Sequence, residues 1–97
     1  MSDQLDASEL RELYATVELG LDVQAFLRTP VGKYLWQRAS DERVDALADL
    51  VDVSPADTEA VRALQSTIKR ADSILFWLNE AIEAGKNAEA QLEPRGD

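Results

Sequence analysis

The sequence predicts an all-α chain: an antiparallel helical hairpin with a long C-terminal helix, from about Pro55 to Leu92, and two short N-terminal helices packing on it as a small bundle. Three observations predict this fold. Apolar residues recur at three- and four-residue spacing, capping residues stand where each periodic run begins, and no stretch shows the alternation of a strand. The single alternating piece, Val51-Asp52-Val53, falls at an expected turn.

The elements follow from the punctuation. Asp6-x-x-Glu9 reads as a capping box, which starts a first helix at about Ala7 with Leu10, Leu13, Tyr14 and Val17 on one face. Gly20 is expected to end that helix in the left-handed conformation, and Asp22 to cap a short second one to Arg28 with Val23, Phe26 and Leu27 inward. Thr29-Pro30 is a cap followed by proline at the first helical position, where the missing N–H costs nothing. The third helix then runs to about Val51, and Ser54-Pro55 repeats the device for the fourth. Residues 1–97 form one domain, with flexible tails expected at 1–6 and 93–97.

The fourth helix carries the clearest pattern. Val61, Leu64, Ile68, Ala71, Leu75, Leu78 and Ile82 alternate spacings of three and four, the apolar seam of a coiled coil. Leu35, Ala39, Ala46, Leu47 and Leu50 offer a matching face on helix three, and helix one can cover the overhanging second half. The seam weakens beyond Ile82, where Gly85, Glu89 and Leu92 come next, so folding is expected to survive truncation after Gly85. Ile74, Trp77, Ala81 and Ala84 form a second apolar face turned away from the first. One neighbouring helix covers one stripe, so the sequence points to a further partner, most simply a second copy of the chain.

Composition excludes more than it assigns. There is no His and no Cys, which removes histidine acid–base catalysis, thiol chemistry, disulfides and zinc sites built on those ligands. Neither a glycine-rich phosphate loop nor a nucleophile elbow is present, so no catalytic residue, cofactor or metal ligand is nominated and the chain reads as a non-enzyme. With 10 Lys plus Arg against 19 Asp plus Glu, the net charge of −9 opposes direct binding to nucleic acid and to anionic membranes. The opening MSDQLDASEL has neither a basic leader nor an apolar run, and the chain is expected not to be secreted.

The charge is patterned. Asp41, Asp45, Asp49 and Asp52 share one flank of helix three, where like charges one turn apart repel. That row reads as a solvated face, as a docking surface for a basic partner, or as a carboxylate site for a hard cation. Just upstream, Arg28, Lys33 and Arg38 are interleaved with Phe26, Tyr34 and Trp36, and Val23–Ser40 holds no acid. Arg28, Lys33, Tyr34, Trp36 and Arg38 therefore pair with the aspartates as a candidate partner surface, the basic-aromatic island of one subunit docking on the aspartate flank of the next.

At FLRTPVGKYLWQRA, residues 26–39, the chain resembles small uncharacterised helical proteins of tailed bacteriophages and prophages, in which a Phe-Leu-x-Ser/Thr-Pro-Val/Ile-Gly-Lys/Arg-Tyr-Leu run recurs. AVRALQ (60–65) and WLNEAIEAG (77–85) are similar to the same group, so the likeness spans roughly residues 20–92. It implies a setting beside head or DNA-packaging genes rather than a chemistry. The expected role is an oligomeric assembly, virion or packaging accessory, located in the host cytoplasm or the virion, with itself and phage head or packaging proteins as partners. The competing expectation is an acidic inhibitor that imitates nucleic acid before a host protein.

Overall fold

The computed structural model of the chain describes residues 5–93, and these form three helices joined by short connections: α1 (Ala7–Arg28), α2 (Pro30–Asp52) and α3 (Thr58–Leu92). The expected tails at 1–6 and 93–97 fall largely outside the described residues. Asp6 lies inside them and caps α1: its carboxylate accepts from the Glu9 N–H at 2.7 Å, while its own N–H donates to Glu9 Oε1 at 2.9 Å.

The two short N-terminal helices are a single one. Gly20 does not end α1, because no described glycine has a positive φ. It continues the helix and is buried, for a reason found on α3. A Cβ on Gly20 would stand 2.9 Å from the Ala81 carbonyl oxygen and 3.1 Å from the Gly85 Cα. A Cβ on Gly85 would stand 3.1 Å from the Gly20 Cα and 3.2 Å from the Thr16 carbonyl oxygen. The two backbones touch, which only residues without side chains permit. Gly20 costs α1 about 1 kcal/mol of helix propensity relative to alanine, and the contact with α3 offsets that loss.

Proline sets the next boundary. In a continuous helix the Pro30 ring would strike the carbonyl four residues back, which belongs to Phe26, and would give it no N–H. The chain breaks there for one residue. Thr29 repairs the break by donating both its N–H (2.9 Å) and its hydroxyl to the Phe26 carbonyl. The same hydroxyl accepts from the Gly32 N–H at 3.0 Å and caps α2. Gly32 sits so close under the Phe26 carbonyl and the Leu27 Cα that a Cβ there has no room.

α3 starts at Thr58, three residues later than Ser54-Pro55 suggests. Ser54 instead closes a turn, its hydroxyl accepting from the Ala56 N–H and its carbonyl from the Asp57 N–H. The Asp57 carboxylate then takes the cap position, accepting from the Ala60 N–H at 3.1 Å.

The core is made of small residues. Ala39, Ala46, Ala71 and Ala88 are buried with Gly20, Gly32 and Gly85, and among the described residues no large side chain is fully buried. The seven seam residues expected on α3 all face inward, Ala71 buried and the other six half-buried. Past them Gly85 and Ala88 are buried as well, so the seam does not end at Ile82. On α2, Gly32, Ala39 and Ala46 recur every seventh residue, with Leu35 and Leu50 half-buried beside them. Leu47, expected in that face, leans out. Tyr14 and Phe26, expected inward on α1, are exposed.

α3 is tied to both other helices. Arg43 pairs with Asp72, and Arg70 donates to Glu42 at 3.1 Å, which joins α2 to the first half of α3. Gly20 and Thr16 join α1 to its second half. The result is long and thin, 61 × 34 × 25 Å with a radius of gyration of 19.4 Å, against about 13 Å for a compact domain of this length.

The packing of α1 on α3 makes three predictions. Gly20→Val should lower the thermal midpoint by roughly 4–8 °C or more, since overpacking a tight contact costs about 1–3 kcal/mol; circular-dichroism melts at matched concentration will measure it. Gly20→Ala should also lower the midpoint, although alanine favours helix at an exposed site. Truncation after Gly85 removes Ala88 and Leu92 from against α1 and should melt part of α1 too. The expected helicity loss then exceeds that of the residues removed.

Candidate interaction surfaces

The exposed large side chains lie on the outward flanks of all three helices. Tyr14, Leu21, Val31, Val44, Val51 and Trp77 are each more than half exposed. Two ion pairs mark the two sides of the layer that α2 and α3 make. Arg43–Asp72 marks one. Trp36 precedes Arg43 by two turns and Leu47 and Val51 come after it, while Phe76 stands one turn beyond Asp72. That side is apolar: Phe76 is 59% exposed, Val44 60% and Val51 84%.

Glu42–Arg70 marks the opposite side. Arg38 stands one turn before Glu42 and donates to it at 3.3 Å and to the Tyr34 hydroxyl at 3.0 Å. Asp45 and Asp49 come one and two turns after Glu42, and Trp77 two turns after Arg70. Asp41, Asp45, Asp49 and Asp52 are all exposed, with Asp41 accepting from Gln37 at 2.8 Å. Among the described residues no group of three or more acids is placed to hold a metal ion.

The sequence-predicted partner surface is therefore divided. Tyr34 and Arg38 lie with the aspartates, and Arg38 is already engaged within its own helix. Lys33 and Trp36 lie on the apolar side, and Arg28 is the last residue of α1. The second apolar face of α3 is also mixed: Ile74, Ala81 and Ala84 are half-buried, whereas Trp77 is 64% exposed. The spacing of apolar residues alone does not single out the flank of Trp36, Val44, Leu47 and Val51. Placing α2 on a helical wheel around Ala39 and Ala46 finds it, because those alanines fix the inward direction.

A groove of about 130 Å³ runs beside the glycine contact between Val17, Leu21, Gln24, Ile82, Lys86 and Glu89. It is smaller than ligand pockets, which measure about 300–1,000 Å³. No helix among the described residues is long and apolar enough to cross a membrane.

The hydrogen bond from Arg70, and then that from Arg38, hold the Glu42 carboxyl below its ordinary value against a partial desolvation that opposes them. A carboxyl lowered by folding contributes stability above its unfolded value and loses it as pH falls through the folded one. Glu42→Gln should thus be less stable than the parent at neutral pH, and the two melts should converge as pH drops through the glutamate range.

No family model matches the chain, and no curated protein or solved structure matches it either.

Proposed function

We propose that this chain is a non-enzymatic subunit that works through protein–protein contacts, first of all with copies of itself. The observation that carries the reading is that, among the described residues, no large side chain is fully buried while twelve are exposed. The chain exposes 7323 Å², about a third more than the roughly 5,500 Å² expected of a compact monomer of its mass. Among the twelve, Trp36, Val44, Leu47 and Val51 share one flank of α2, and clustered apolar surface of that kind marks a protein interface. The pairings of Arg43 with Asp72 and of Gly20 with Gly85 support a hairpin in which α1 and α2, laid end to end, run antiparallel to α3.

Such a thin hairpin suits repeated assembly, since its two sides differ and each can meet a different neighbour. The likeness of residues 20–92 to helical proteins of tailed phages supports an assembly beside a phage head or DNA-packaging machine, in the host cytoplasm or the virion. The acidic side is left for a second protein with a basic surface. Imitation of nucleic acid is the weaker reading, because Arg38 and Arg70 interrupt the acidic side.

Sedimentation of the full chain tests the reading. The expected mass is a multiple of the 10.7 kDa chain. It should rise with salt, which screens the mutual repulsion of chains carrying −9. A mass of one chain at every concentration would overturn self-assembly, and capture of a DNA-binding host protein by that monomer would favour the inhibitor.

A further inference from the structure

We infer that the second copy docks along one particular face, the flank of α2 carrying Trp36, Val44, Leu47 and Val51, and docks antiparallel about a two-fold axis near residues 43 and 44. This rests on the self-assembly proposed above and adds its surface, partner orientation and register. Three observations carry this: charge selects that flank, the ends of α2 set the orientation of the partner, and the exposed area of the chain leaves room for it.

The first is charge. Two copies of a chain at −9 repel, so the face on which they meet has to be poor in acid. On α2, Lys33, Trp36, Gln37, Ser40, Val44, Leu47, Ala48 and Val51 lie together when residues are placed at about 100° each, and no acid is among them. All five acids of the helix, Asp41, Glu42, Asp45, Asp49 and Asp52, fall elsewhere. On α3 the acid nearest this flank is Asp72, which Arg43 pairs with, and beyond Phe76 stand Glu80 and Glu83, the latter paired with Lys86.

The second is the unbalanced ends of α2. Its last turn holds no basic residue and its first turn no acid, so the C-terminal partial charge and Asp49 and Asp52 stand uncompensated. A register that pairs Trp36 with Val51 also brings Lys33 to the partner's C-terminal turn, where a cation is favourable. It sets the largest side chain of the flank against the most exposed valine and leaves Val44 next to the axis. A parallel pair would instead stack the two acidic ends together.

The third is area. The chain exposes about 1,800 Å² more than a compact monomer of its mass. Spread over the whole elongated chain, that excess leaves room for the roughly 800 Å² per partner of a standard interface. The exposed Phe76 extends the patch onto α3.

Val44 is exposed, so Val44→Asp leaves the hairpin intact while placing two carboxylates at the axis. Its sedimentation mass should fall at least two-fold, with helicity by circular dichroism unchanged. Val31→Asp, an exposed position outside this flank, should keep the parental mass. Since the chain has no cysteine, Val44→Cys should give a disulfide-linked dimer on mild oxidation. Val51→Cys should not, because the register separates those positions by about 22 Å. Retained mass in Val44→Asp, loss of mass in Val31→Asp, or cross-linking through Val51→Cys would each overturn the proposed face or register while leaving self-assembly standing. A parent that is itself monomeric would remove both.

Discussion

The contact on which the rest of this structure depends is that between Gly20 and Gly85, continued along the layer by Ala39, Ala46, Ala71 and Ala88. Helices that meet through such residues approach to the short end of the 8–10 Å range of interaxial distances. The leucines, isoleucines and valines of the inward faces are half-buried rather than enclosed, and other large side chains lie open on the flanks. The interior is tight but contributes little apolar area per residue. Small domains are marginal in this respect even when compact. A three-helix layer 25 Å thick at its narrowest is not compact.

The charge distribution follows the same layering. The two ion pairs between α2 and α3 lie on opposite sides of the seam, and each sets the character of its own side. Around Glu42 the charges of Arg38 and Arg70 converge with the aspartate row, whose members are all exposed. Exposed ion pairs of this kind contribute modestly, because water screens them. Their larger effect is to choose a register between helices that an alanine seam alone would leave free to slide. Around Arg43–Asp72 the neighbours are apolar instead. A strongly acidic chain thus carries one flank of α2 that holds no acid of its own, and this connects the net charge with the proposed assembly.

Much of the fold is legible in the sequence for local reasons. Pro30 forbids a continuous helix because of the Phe26 carbonyl four residues behind it, and Thr29 is the residue able to satisfy that carbonyl and cap the next helix. Asp6 and Glu9 form their reciprocal cap wherever the chain begins to coil. The apolar seam of α3 faces inward along its length because its spacing follows the helical repeat. Gly20 misleads for an equally physical reason. A glycine in a helical pattern is a terminator or a point of contact, and the choice depends on whether another backbone reaches it. Gly85, in the other half of the chain, makes that choice.

The candidate surface divides in the same way. Its composition is local: the aspartate row and the aromatic residues are visible as residues. Which side each of them faces in the fold is not, since that depends on Ala39 and Ala46 being the residues of α2 turned inward. By itself the sequence determined an all-helical chain, the caps at Asp6 and Thr29 and the break at Pro30, because these rest on interactions within four or five residues. The tertiary structure decided that α1 runs unbroken through Gly20, that the core is built of alanine and glycine, and that Val44 and Val51 are left outside. Those outcomes depend on backbone approach between helices far apart in the chain, which no local spacing records.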